Sequence, residues 1–166
     1  LYAASAARSV SLHDPLPYDT LKDFVSVALI ADMPGIIVVN PSLPVTTFPQ
    51  FLDHARKNLL TYGTAGAGTF PHLGIELLKS RAKIPMTHVP YKGAAPALTD
   101  VIAGNAQYII TSPIAAGAHM TGGRVRALAT TGAERNPSLP DLPTIAETVP
   151  GYEITQTWGI VAPAGT

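Results

Sequence analysis

The residues best suited to chemistry lie in one run, YGTAGAGTFPHLGIELL, from Tyr62 to Leu78. Gly63, Gly66 and Gly68 alternate with small residues and with Thr64 and Thr69. Glycines permit positive φ and let a ligand approach the backbone closely, and the two hydroxyls can donate to an oxygen. An apolar helical pattern follows directly, so the loop feeds a helix start. Such a start carries unpaired N–H groups and about half a positive charge. The expected occupant is an anion. Gly66-Ala67-Gly68 supplies G-x-G, but the third glycine of a dinucleotide fingerprint is missing, and no lysine stands where a phosphate loop needs one. The plain structural alternative is that Thr69 caps its helix and the glycines make a tight turn.

Two further junctions share the design: Gly93 ahead of Pro96, and Thr111-Ser112 ahead of Pro113. If the three converge at the carboxyl ends of parallel strands, they form a neutral cup for a carboxylate or phosphate. Tyr91 is placed to wall that cup, and Lys92 reads as a solvated charge. His72, in the first helical turn after the loop, can reach a ligand or serve packing and capping. His88, mid-strand in MTHVPY, reads as a buried, hydrogen-bonded histidine. His13, His54 and His119 are scattered, so no two-histidine metal motif forms. The chain has no cysteine and no G-x-S-x-G, and no acidic residue sits at the three helix-start loops. Catalysis needs a base near the bound group. The expectation is therefore a binding protein with no catalytic residues, no cofactor and no metal.

These residues must be held by a fold. Of 166 residues, 46% are hydrophobic and 13% charged, enough for a core in one medium domain or one lobe of a larger protein. Eleven basic residues balance eleven acidic ones, which argues against nucleic acid or an anionic membrane surface as the main partner. VSVALI and GIIVVN read as short buried strands, interrupted by Asp32 and Pro34, so the stretch fails as a membrane span. Ser11 to Phe24 reads as an irregular surface segment. Thr47 is placed to cap a helix with Phe48, Phe51, Leu52 and Ala55 on one face.

From there strand and helix alternate. LLTYG is a strand. A helix from about Phe70 to Ala82 has Phe70, Leu73, Leu77 and Leu78 as its apolar side. PMTHVPY is a strand, and AAPALTDVIAG a helix with Leu98, Val101 and Ile102 inward. QYIIT is a strand, and SPIAAGAHMTGG a helix capped by Ser112. RVRALATTG is a strand whose Arg124 and Arg126 face solvent. The proline-rich tail holds a short helix at most, and ITQTWGIVAPAGT closes with a strand. This order predicts an α/β fold: a mostly parallel sheet with helices on both faces. The chain opens at Leu1 without Met and stops just after WGIVAPAGT, so both ends read as cuts through a longer protein.

YGTAGAGTFPHL, THVPYKGAAPALTDVIAG, GGRVRALATTGAERNPSLPDLPTIAE and PGYE…WGIVAPAGT, in this order, closely resemble the substrate-binding proteins of tripartite tricarboxylate transporters, the Bug family. PYDTLKDF and IIVVNPSLP match upstream, so the resemblance covers nearly the whole chain. It implies a type II periplasmic binding protein fold, in which two lobes close on a small carboxylate, a dicarboxylate among them, and pass it to membrane transporter subunits. Periplasmic localisation, with a signal peptide upstream of this segment, is implied with it. Residues 1–34 would be a first-lobe remnant and crossover strand, residues 35–132 the second ligand-binding lobe, and residues 133–166 the return crossover with a first-lobe remnant. The family's carboxylate site maps onto Thr64, Ala67, Gly68 and Thr69, with Thr111 and Ser112 lining the same pocket and Ser5 matching a hydroxyl of a first-lobe loop. Many members carry aspartate where Thr111 stands, which implies a ligand without an amino group. The competing readings are a phosphate- or nucleotide-using enzyme domain and a self-associating fragment, for instance a homodimer, without ligand function.

Overall fold

The computed structural model describes the backbone of Tyr2–Ala3 and residues 18–166. Two sheets organise the chain. The larger has five strands: β3 (Ile36–Val39), β4 (Leu60–Thr64), β5 (Met86–Pro90), β6 (Tyr108–Thr111) and β7 (Arg126–Thr130), in the spatial order β5-β4-β6-β3-β7. The smaller joins β1 (Tyr2–Ala3), β8 (Thr155–Pro163) and β2 (Phe24–Pro34) in the order β1-β8-β2, all antiparallel.

In the larger sheet β4 runs parallel to β5 and β6, while β3 is antiparallel to both β6 and β7. Four strands thus share one direction, as the alternation of strands and helices requires, and β3 is inserted against them. The direction of β3 follows from its entry: it continues from β2 through Gly35 with no helix between the two strands, so no crossover rule fixes it parallel.

Helices cover both faces. On one face α1 (Phe48–Lys57) and α2 (Phe70–Ala82) pack with Ile37, Val39, Tyr62 and Tyr108. On the other, α3 (Ala94–Ala103) and α4 (Pro113–Thr121) pack with Ile36, Val38 and Ile109. Alternate residues of β3 therefore feed opposite cores, and all four are fully buried. The predicted face of α1 is buried as expected. In α2 the buried residues are Phe70, Gly74, Ile75 and Leu78, with Leu73 and Leu77 only half-buried. The reason is Gly74, whose bare Cα sits against Ile110, Ile154 and the Tyr152 hydroxyl and rotates the helix toward that side.

β2 departs from expectation more strongly. VSVALI is not a short buried strand but part of an eleven-residue one, with Val27 60% and Leu29 69% exposed. Its sheet carries no helix on either face among the described residues, so alternation has nothing to bury against. Where the chain passes between the sheets, Thr131 binds three segments together. Its hydroxyl accepts from the Gly35 N–H at 2.7 Å and donates to the Ile154 carbonyl at 2.7 Å, and its own N–H donates to the Gly35 carbonyl at 2.9 Å. The expected irregular segment from Ser11 lies mostly outside the described residues, as do Ser5 and His13. Arg126 is not a free surface charge: its guanidinium donates to the Val45 carbonyl at 2.7 Å.

Candidate functional site

The glycine loop leaves the carboxyl end of β4 and enters α2, beside the loop that leaves β5. Tyr91 N–H donates to the Thr64 carbonyl at 2.9 Å and ties the two loops together. Gly66 (φ 123°) and Gly68 (φ 74°) occupy backbone conformations that side chains disfavour, which is why glycine stands there. Gly63 is different. It lies within β4, and its missing side chain makes room for Ala97 and the Tyr91 ring, each 3.3 Å from where a Cβ would be. It admits α3 to the sheet and is no part of the ligand-facing turn.

The two threonine hydroxyls are both bonded within the protein. Thr64 is fully buried; its Oγ1 lies 2.6 Å from His88 Nε2 and accepts from the Gly66 N–H at 3.2 Å. Thr69 does not cap α2 with its side chain: its hydroxyl donates to the Gly66 carbonyl at 2.7 Å. Both hydroxyls therefore shape the loop through bonds within the protein. The result is an open helix start. Among the described residues, the N–H groups of Ala67, Thr69 and Phe70 meet no acceptor, and Ala67 is exposed. Unpaired N–H groups at a helix start, joined to its dipole, form an anion seat.

The three helices at this end of the sheet are finished differently. Ser112 caps α4, accepting from the Ala115 N–H at 3.1 Å, while the starts of α2 and α3 have no side-chain cap. An accepting hydroxyl keeps its own proton, so Ser112 can still donate outward. Thr111 ends β6, which neighbours β4, and is buried with 5% of its surface exposed. The Tyr91 hydroxyl donates to Asp100 at 2.7 Å. Burial, reinforced by that carboxylate, pushes its pKa up to about 12, so Tyr91 stays neutral. It lies against the glycine loop, its carbonyl 3.8 Å from where a Gly66 Cβ would be.

Behind the loop lies a cluster that spacing alone did not disclose. Gly68 N–H donates to His72 Nδ1 at 3.1 Å. The His72 ring stacks on His88 at 4.4 Å between centroids, and His88 also stacks on Tyr62 at 5.0 Å. Tyr62 donates to Glu76 at 2.5 Å, and Lys79 pairs with the same carboxylate oxygen at 2.6 Å. His88 is hydrogen-bonded, as its strand position suggested, although half-buried rather than buried. Burial, and then the neighbouring His72, hold its pKa below the ordinary histidine value. Glu76 is held below the usual carboxylate value: desolvation opposes this, but the bonds from Lys79 and Tyr62 outweigh it. The signal in the sequence was the pair Tyr62 and His88, which only the parallel register of β4 and β5 brings opposite each other.

Thr64, Ala67, Gly68, Thr69, His72 and Tyr91 are thus gathered around one loop, with Thr111 and Ser112 on the next strand. No group of three or more histidine, cysteine, aspartate or glutamate residues converges among the described residues, and no helix there is long and apolar enough to cross a membrane.

Residues 1–166 match the family described as the tripartite tricarboxylate transporter family receptor, and the chain belongs to that family. A protein encoded in the tcbD-tcbE intergenic region of a Pseudomonas species is 40% identical over 155 residues, 91% of this chain and 46% of that protein. An R. palustris protein solved with adipate is 39% identical, with a TM-score of 0.85 over 93% of this chain and 52% of its own. MatC from Rhodopseudomonas palustris, with bound malate, is 30% identical, with a TM-score of 0.82 over 96% of this chain and 55% of its own. The chain spans about half the length of the relatives it matches.

Proposed function

From membership in the tripartite tricarboxylate transporter receptor family, we propose that this chain is the carboxylate-holding half of a periplasmic solute receptor. In this reading residues 35–132 form the second lobe, and residues 1–34 and 133–166 cross to a first lobe. The ligand is a small carboxylate, and the receptor delivers it to membrane transporter subunits without catalysing a reaction. The observation that carries the reading is the uncapped start of α2: a loop shaped by Thr64 and Thr69 leaves the Ala67, Thr69 and Phe70 N–H groups without an acceptor among the described residues. A carboxylate is the natural partner of such a seat, and its charge is met by the helix dipole. Ser112 adds a hydroxyl from the helix start after β6, and Tyr91 a neutral wall. Structures of relatives hold adipate and malate, which supports the class of ligand.

The test is calorimetry with malate and adipate on the full-length receptor and its Gly68→Val variant. At a φ of 74° a branched side chain is strained, by roughly 1–2 kcal/mol, and the loop must shift. Malate affinity is expected to fall at least tenfold with the fold intact by circular dichroism. Unchanged affinity for either acid would remove the loop from the site. Thr111 sharpens the ligand class: it has no charge to neutralise an amino group, so succinate is expected to bind more tightly than aspartate. The reverse order would place another acidic group in the pocket.

A second reading concerns the chain on its own. β2 is an edge strand with exposed Val25, Val27, Leu29 and Ile30. Exposed apolar edges invite pairing, and the isolated chain is proposed to self-associate through this sheet.

A further inference from the structure

We infer that His72 is a positioning residue for the carboxylate loop, holding Gly68 in place through its Nδ1 acceptor, so that removing the acceptor loosens the loop and weakens ligand capture. The inference rests on the proposed role of that loop. It begins from one hydrogen bond. Gly68 N–H can donate to His72 Nδ1 at 3.1 Å only while that nitrogen keeps its lone pair. Gly68 directly precedes Thr69, the residue that opens α2, so a shift there moves the free N–H groups themselves.

The surrounding groups hold the ring in place. From β5, His88 stacks on His72 at 4.4 Å. From β4, Tyr62 stacks on His88. From α2 itself, Glu76 and Lys79 form an ion pair, with Glu76 also accepting from Tyr62. The far side of the loop is pinned by Thr64, whose hydroxyl meets His88 and accepts from the Gly66 N–H, and by Thr69, which donates to the Gly66 carbonyl. The Gly68 side is pinned by His72 Nδ1.

The experiment compares wild type with His72→Asn and His72→Phe. Asparagine Oδ1 takes the position of Nδ1 and accepts without titrating; phenylalanine keeps the ring and loses the acceptor. Malate affinity of the full-length receptor is measured at about pH 8, where an imidazole is neutral. His72→Phe is expected to lose about threefold to tenfold, the weight of one hydrogen bond, and His72→Asn to match wild type. Equal losses in the two variants, or none in His72→Phe, overturn the inference. A second readout needs no ligand: hydrogen exchange of the Gly68 amide by NMR should quicken in His72→Phe and stay near wild type in His72→Asn. A Gly68 amide indifferent to His72 overturns the inference whatever the affinities. If the Gly68 amide responds to His72 but neither malate nor adipate binds wild type, the carboxylate reading fails and the loop latch stands.

Discussion

β2 and β3 are consecutive in the chain, separated by Gly35 alone, and both are rich in aliphatic and β-branched residues. All four residues of β3 are completely buried, while Val27 and Leu29 of β2 are 60% and 69% exposed. The difference lies in their neighbours. β3 sits between β6 and β7 with helices on both faces; β2 sits at the edge of a three-stranded sheet with none among the described residues. The comparison teaches that a strand's hydropathy records what it is built to meet, and that the meeting partner need not be in the same stretch of chain. For β2 the proposed partner is the rest of a two-lobed receptor.

The largest effect that would test this contrast is a matched pair of truncations. Ile110→Ala on β6 leaves a cavity between packed layers and is expected to cost about 2–5 kcal/mol in urea denaturation. Leu29→Ala is expected to change the isolated chain by less than about 0.5 kcal/mol. In the full-length receptor Leu29→Ala should become clearly destabilising; a neutral result there would mean that nothing covers β2.

Next in size is the joint between the sheets. Thr131→Val keeps the shape and removes the hydroxyl that links Gly35 to Ile154. Leaving those buried groups unpaired is expected to cost about 1–3 kcal/mol. If the smaller sheet is an independent appendage, hydrogen exchange in β8 will be unaffected; faster exchange at both β3 and β8 would establish Thr131 as their common fastening.

The smallest effect concerns association. Light scattering on the isolated chain should report a species larger than the monomer, and Val27→Lys with Leu29→Lys should return it to monomer without moving the urea midpoint. A monomer at high concentration in the unaltered chain would show that the exposed face is not adhesive.

Much of the larger sheet was legible in the sequence because its signals are local. Thr47 and Ser112 cap the helices they precede, and the Gly122-Gly123 pair follows the end of α4. Gly66 and Gly68 make the turn that only glycine makes easily. Their partners lie within a few residues, so the pattern along the chain contains the physics. The family's motifs added the class of protein. Less legible were the roles of individual side chains within the site. Thr64 and Thr69 read as ligand donors by type and spacing, yet one bonds to a histidine 24 residues away and the other to its own turn.

The sequence by itself determined the order of strands and helices, the glycine loop at a helix start, and the absence of cysteine chemistry, since these follow from residue types and short spacings. Only the tertiary structure decided that β3 runs against its neighbours, that β2 stays uncovered within the described residues, and that the Thr64 hydroxyl meets His88. It alone set His72 and His88 behind the loop, because the register of β4 on β5 and the docking of α2 bring together groups that no local pattern relates. What the loop presents at the start of α2 is backbone N–H without a side-chain cap.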